Sequence, residues 1–228
     1  MSSKPPKKSD RNKAWMNDRR DGRDGKRRLH PEYHLIVTEG TKTEPNYFAG
    51  LKQEINQKHR GRIDIKIEGE GDNTLSLLER AQGHVKRASN IVKHVWLVYD
   101  LDDFPHDDFD NTAHKCNSLS KSEESPMYHA LWSNQCIELW FLLHFAYHQA
   151  DVHRAGYKPI LDRYISDLDS GVYEKNRDDI YKILRSKLKT AIANAKRLAE
   201  YHENLTPSQN APGTSVYKIF EELSGYLE

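Results

Sequence analysis

Residues 95–103 read Val95-Trp96-Leu97-Val98-Tyr99-Asp100-Leu101-Asp102-Asp103, and this stretch decides the fold. Five consecutive apolar or aromatic side chains are the pattern of a strand covered on both faces, the situation of a central strand in a parallel sheet. The run then breaks into three carboxylates within four residues. Parallel strands all end at one edge, so acidic residues that follow a buried strand fall where ligands bind in such sheets.

Upstream, 33–38 form a short strand-like run that stops at Glu39-Gly40. Thr43-Glu44-Pro45 then starts a helix, since Thr can cap, Glu suits the positive end of the helix dipole, and Pro is tolerated in the first turn. Phe48, Leu51 and Ile55 follow at helical spacing. Ile63, Ile65 and Ile67 alternate with Asp64, Lys66 and Glu68, the period of a strand with one wetter face. Asn73-Thr74 opens a further helix carrying Leu75, Leu78 and Val85, and a fourth strand includes 127–131. Strand–helix–strand–helix–strand in units of about 30 residues predicts a mostly parallel, Rossmann-like sheet flanked by helices.

Beyond this the pattern turns helical. Ser133 or Asn134 is placed to cap a helix over 136–148 that is apolar on nearly every side, as a buried helix is. A long helix is expected over 178–201, with Ile180, Leu184, Leu188, Ile192, Ala195 and Leu198 as its stripe, and a short one from Thr214 onward. The expected organisation is therefore an α/β domain over 31–148 with a helical extension, 149–228, packed on it.

Charge is unevenly spread. The 228 residues carry 35 Lys and Arg against 34 Asp and Glu, but residues 1–30 hold eleven basic against four acidic. The remainder is net acidic, which excludes a uniformly basic nucleic-acid coat. Residues 1–30 have few apolar anchors and read as a disordered basic tail, either a binding arm or a solvating segment. No apolar run reaches the roughly 20 residues of a membrane span. Only two cysteines occur, Cys116 and Cys136, without zinc spacing, which points to a reducing cytoplasmic setting.

Glu39 after the first strand and Asp100-x-Asp102 after the third would place three negative charges in one crevice. Carboxylates two apart point the same way on extended backbone. A hard divalent cation relieves such crowding, and an all-oxygen set favours Mg2+ or Mn2+. Glu138, in the most apolar helix, is either a further member of this site or a buried carboxylate paired with a base. Glu44 either serves the site or suits its helix N-terminus.

With these residues in view, 35–40 followed by 98–103 resembles the Toprim domain of topoisomerases, primases, OLD-family nucleases and recombination proteins. That resemblance implies a general acid/base role for Glu39 and Mg2+ binding by Asp100 and Asp102; in the reading taken here Glu39 also helps to hold the ion, and Asp103, Glu138 and Glu44 are supporting carboxylates. More specifically, the run from Glu39 to Phe48, then Asp100-Leu101-Asp102-Asp103-Phe104-Pro105, then 133–145 resembles the RloB-like family, from about residue 31 to the C-terminus. Gln135 departs from the Pro expected there, and 211–216 matches a late Asn-Pro-Ser-Thr-type segment only loosely. The resemblance implies a metal-dependent nuclease of anti-phage or abortive-infection loci near restriction–modification genes, acting on RNA such as tRNA or on DNA. It also implies an ABC/AAA-type ATPase partner. A homo-oligomer is compatible with the sequence. The alternative is a degenerate Toprim module that binds nucleic acid or the ATPase without cleavage. A topoisomerase or primase is disfavoured, because only about 80 residues follow the apolar helix.

Lys42 beside the first strand end, and Arg185, Lys189, Lys196 and Arg197 off the apolar stripe of the long helix, are candidate phosphate contacts; a solvated helix face is the other reading. The Gly69-Glu70-Gly71 loop lacks the Walker lysine pattern, and His144 with His148 lacks the His-Glu-x-x-His pattern of a zinc pair.

Overall fold

The computed structural model describes residues 31–71, 74–102, 106–121, 126–168 and 171–228, with the side chain of Leu75 also left undescribed. The basic tail over 1–30 and the carboxylate of Asp103 therefore lie outside the described residues. The chain runs β1 (Glu32–Thr38), α1 (Thr43–Lys58), β2 (Ile63–Gly69), α2 (Thr74–Arg87), β3 (Val92–Asp100), α3 (His106–Leu119), β4 (Met127–Asn134), α4 (Glu138–Leu143), α5 (Tyr157–Ser166), α6 (Ile180–Leu184), α7 (Leu188–Tyr201), β5 (Gly213–Thr214) and α8 (Tyr217–Glu222). The sheet order is β2-β1-β3-β4-β5. Its first four strands are parallel, and β5 joins β4 antiparallel.

The alternation along β3 explains its unbroken apolar run. Trp96 and Val98 join Ile36, Ile65 and Leu131 in a core under α1 and the C-terminal helices; Val95, Leu97 and Tyr99 join Leu35 and Val37 in a second core with α2 and α3. Every residue from Val95 to Tyr99 is at most 1 % exposed. The C-terminal helices complete the first of these layers, with Phe220 stacked on Trp140 of α4. Residues 31–228 accordingly form one compact unit. Among the described residues no helix is long and apolar enough to cross a membrane.

Four local readings change. Ser133 and Asn134 do not cap α4: they finish β4, Ser133 Oγ meeting Thr214 Oγ1 at 3.1 Å and Asn134 Nδ2 donating to the Ser208 carbonyl at 2.9 Å. The apolar helix is six residues long instead of spanning 136–148. The long helix is broken by a 3-10 turn at Arg185–Lys187, although its stripe stays buried on both sides of the break. Thr214 belongs to β5, and the last helix begins at Tyr217. In each case the apolar pattern marked what is buried, but uniformly apolar segments carry little information on where a turn tightens.

Candidate active site

The C-terminal edge of the sheet is a cleft of about 420 Å3 lined by Glu39, Gly40, Thr41, Lys42, Thr43, Glu44, Gly71, Asp100, Asp102, Lys175 and Asn176. Its geometry starts with backbone pairing. Glu39 N–H donates to the Val98 carbonyl at 2.9 Å, extending β1 alongside β3 by one residue. The Asp100 N–H donates to Glu39 Oε2 at 3.2 Å, which fixes the Glu39 carboxylate against the end of β3. The Gly71 N–H closes on the Glu39 carbonyl at 2.9 Å.

Asp100 is held from the other side. Its Oδ2 accepts the Ile137 N–H at 3.1 Å, while its Oδ1 is buried without a hydrogen-bond partner. Glu138 is 7 % exposed; its Oε1 accepts the Tyr173 hydroxyl at 3.0 Å and its Oε2 is likewise buried without a partner. Glu44, in the first turn of α1, folds over Gly40, where a β-carbon would collide with the Glu44 carboxylate. The loop carrying Lys175 and Asn176 forms the far wall, its carbonyls accepting Thr43 Oγ1 at 2.7 Å and Asn46 Nδ2 at 2.9 Å.

The electrostatics follow. Burial, reinforced by the nearby charges of Asp102 and Glu44, pushes Glu39 up to about 7. Burial drives Asp100 well above the usual carboxylate range, with Glu44, Glu138 and Asp102 adding to it. Burial likewise raises Glu44, with the charge of Glu138 adding to it. Carboxylates this close and this dry raise one another's free energy by amounts of order kcal/mol per pair.

Asp102 sits differently from the extended Asp-x-Asp arrangement. Its φ of 43° is left-handed, a conformation that Asp tolerates better than most residues. Its N–H donates to the Gln135 carbonyl at 3.1 Å, and its Oδ1 pairs with Arg154 Nη1 at 2.6 Å. Among the described residues the carboxylates of the cleft offer no three ligand atoms all within 4.8 Å of one another; that spacing occurs at Glu32, His34 and His94, which form a group able to hold a metal at the opposite, N-terminal edge of the sheet.

Of the basic candidates, Lys42 lines the cleft and the other four do not. Arg185 clamps Glu54, Nε at 2.5 Å and Nη2 at 2.7 Å, and also reaches the Leu227 carbonyl. Lys196 pairs with Glu221 at 2.7 Å, Arg197 lies 3.9 Å from the centre of the Tyr147 ring, and Lys189 is exposed. His144 Nδ1 donates to the Trp140 carbonyl, as an interior histidine does. Arg154, Tyr173 and Lys175 were not legible as site residues. They stand in irregular segments with no periodicity to mark them, and only the fold brings them to the strand ends.

A family model described as RloB-like protein covers residues 34–223. The chain belongs to the RloB-like family. Neither curated proteins nor solved structures yield a significant match. The RloB-like match runs from within β1 through α8, so it includes the four carboxylates of the cleft and Glu138, together with Arg154, Tyr173 and Lys175.

Proposed function

We propose that this RloB-like chain hydrolyses phosphodiester bonds of nucleic acid, RNA (tRNA included) or DNA, with Mg2+ or Mn2+, as the effector of an anti-phage system. The observation that carries the proposal is the pair of buried, unpartnered carboxylate oxygens, Asp100 Oδ1 in the cleft and Glu138 Oε2 beside it, next to carboxylates raised by burial and by one another's charge. An all-oxygen donor set with unsatisfied charge fits a hard divalent cation. Asp100 and Glu39 would hold it, with Asp102 once released from Arg154; Glu138 and Glu44 add negative field. A bound cation supplies Lewis-acid polarisation of a phosphate oxygen.

The protein's own groups do the rest. Glu39, poised near 7, takes a proton from the attacking water and returns it to the leaving oxygen. Lys42 and Lys175 at the mouth attract the phosphate backbone. Since no Walker lysine motif is present in the sequence, an ABC/AAA-type ATPase partner would supply any ATP hydrolysis.

The test is cleavage of tRNA, mRNA and DNA by the purified chain, with and without the ATPase from the same locus, in Mg2+ against EDTA. Glu39→Gln and Asp100→Asn should each lower the rate by at least ~100-fold, the range for losing a positioned acid/base. Undiminished cleavage by both variants would falsify the assignment. The Asp102–Arg154 ion pair favours a second reading, a non-cleaving module, which predicts salt-sensitive nucleic-acid binding without Mg2+-dependent turnover.

A further inference from the structure

The ion pair at Asp102 has a construction that a stray surface contact lacks. Gln135 holds both partners by their backbones: its carbonyl accepts the Asp102 N–H at 3.1 Å, and its side-chain Oε1 accepts the Arg154 N–H at 2.8 Å. The two main chains are therefore locked in register, and the part left able to move is the long guanidinium arm, about one-third exposed at 32 %. That arm sits between two cavities. On one side is the carboxylate cleft. On the other is a pocket of about 340 Å3 lined by Arg154, His153, Lys158 and Lys175 with Glu138 and Tyr173, and Lys175 lines both.

We propose that Arg154 is a phosphate-responsive latch on Asp102, a positioning residue through which substrate prepares the cleft for its cation. The inference rests on the reading of the cleft as a metal-dependent phosphodiesterase site. In the free protein the guanidinium neutralises Asp102. A divalent cation arriving alone meets Arg154 beside it, and a phosphodiester arriving alone meets the Asp102 carboxylate. When both arrive, the partners exchange: Arg154 takes the phosphate, for which its planar fork is as well suited as for a carboxylate, and Asp102 is released to the cation. Charge balances in both states. Cation and phosphodiester must then bind with positive coupling, each strengthening the other by the same factor. Idle enzyme carries a weakened metal site, a restraint built from this chain's own residues.

The experiment is Mn2+ binding followed by electron paramagnetic resonance on the full chain. It is run with and without a phosphorothioate-linked hexathymidylate, in wild type, Arg154→Gln, Arg154→Lys and Asp100→Asn, each checked for a native melting transition. Wild type should bind Mn2+ roughly tenfold tighter with the oligonucleotide present, within the usual range of such couplings. Arg154→Gln should bind Mn2+ more tightly than wild type in the free chain and gain little from the oligonucleotide. Arg154→Lys, which keeps the charge without the fork, should fall between. Equal Mn2+ affinity and equal coupling in wild type and Arg154→Gln overturn the latch while leaving the metal site standing. Absence of Mn2+ binding in every protein, or binding that Asp100→Asn does not weaken, overturns the reading of the cleft itself, and the latch with it.

Discussion

The two edges of the sheet both gather ionisable side chains, and they treat them in opposite ways. At the N-terminal edge the Trp96 indole N–H donates to His34 Nδ1 at 3.1 Å, so the proton of neutral His34 sits on Nε2, which lies 3.1 Å from Glu32 Oε1. His94 Nδ1 meets His129 Nε2 at 3.0 Å, and His94 Nε2 faces Glu32 at 3.4 Å and Glu222 at 3.6 Å. Lys93 completes the shell of Glu32 at 3.1 Å. Burial, with the neighbouring His94, lowers His34 to about 4, and burial lowers His129 to about 4, so both rings are neutral near pH 7. Here opposite or complementary groups meet, although His94 Nε2, facing two carboxylates, is itself buried without a hydrogen-bond partner. An ion entering this group would have to displace the His34 proton and turn the ring against the indole N–H. At the C-terminal edge like charges meet, and buried oxygens are left open. Close spacing of ligand atoms and crowding of like charge are therefore separate properties, and this molecule keeps them at opposite ends of the same strands.

The sharpest way to break the contrast is at His94, whose ring is fully buried and stacked 4.5 Å from His34 and 5.3 Å from His129. His94→Ala should lower stability by about 3 kcal/mol, the range for truncating a buried ring and orphaning its neighbours. Urea denaturation measures this, and Mn2+ binding at the cleft should be unchanged. A His94 variant of native stability would mean that the network holds nothing together.

Asp100→Asn should do the reverse. Without metal it replaces an acid whose charged form is disfavoured by burial and crowding with a neutral amide, and we expect a gain of about 1 kcal/mol, read as a melting temperature about 3 °C higher. Saturating Mg2+ should raise wild type by a similar or larger amount through mass action and leave Asp100→Asn unmoved. A lower metal-free melting temperature for the variant would show that the carboxylate is already satisfied.

The smallest effect is the pH dependence of Glu39. Its pKa rises from 4.5 to about 7 on folding, so the folded state binds the extra proton. That contribution to stability is full below about pH 4.5 and is lost as pH rises through about 7. The metal-free protein should therefore melt a few degrees lower at pH 8 than at pH 6, with the slope flattened in Glu39→Gln. Metal binding, which competes with the same proton, should strengthen over that interval. Metal affinity that does not change with pH would remove Glu39 from the ligand set.

How much of this was legible can be argued residue by residue. Val95 to Tyr99 announced a strand buried on both faces because each side of a pleated strand shows every second residue, and only a fully covered strand can afford apolar side chains at both. Glu39 and Asp100 were legible for the same reason: a strand's end is marked where the apolar run stops, and parallel strands share an edge. Glu138 was visible as a carboxylate in an apolar helix, but its hydroxyl partner, Tyr173, was not, since 35 residues and an irregular loop separate them. Asp102 was placed on extended backbone; its left-handed φ comes from the Gln135 carbonyl that captures its N–H, a contact between loops.

The sequence by itself determined the layering and the edge at which the carboxylates gather, because periodicity and burial are local properties repeated along the chain. The tertiary structure alone decided that Arg154 clasps Asp102, that Lys175 walls the cleft and that Glu32, His34 and His94 share one corner. Such pairings depend on where loops of no regular period come to rest, and that is settled by long-range packing and charge.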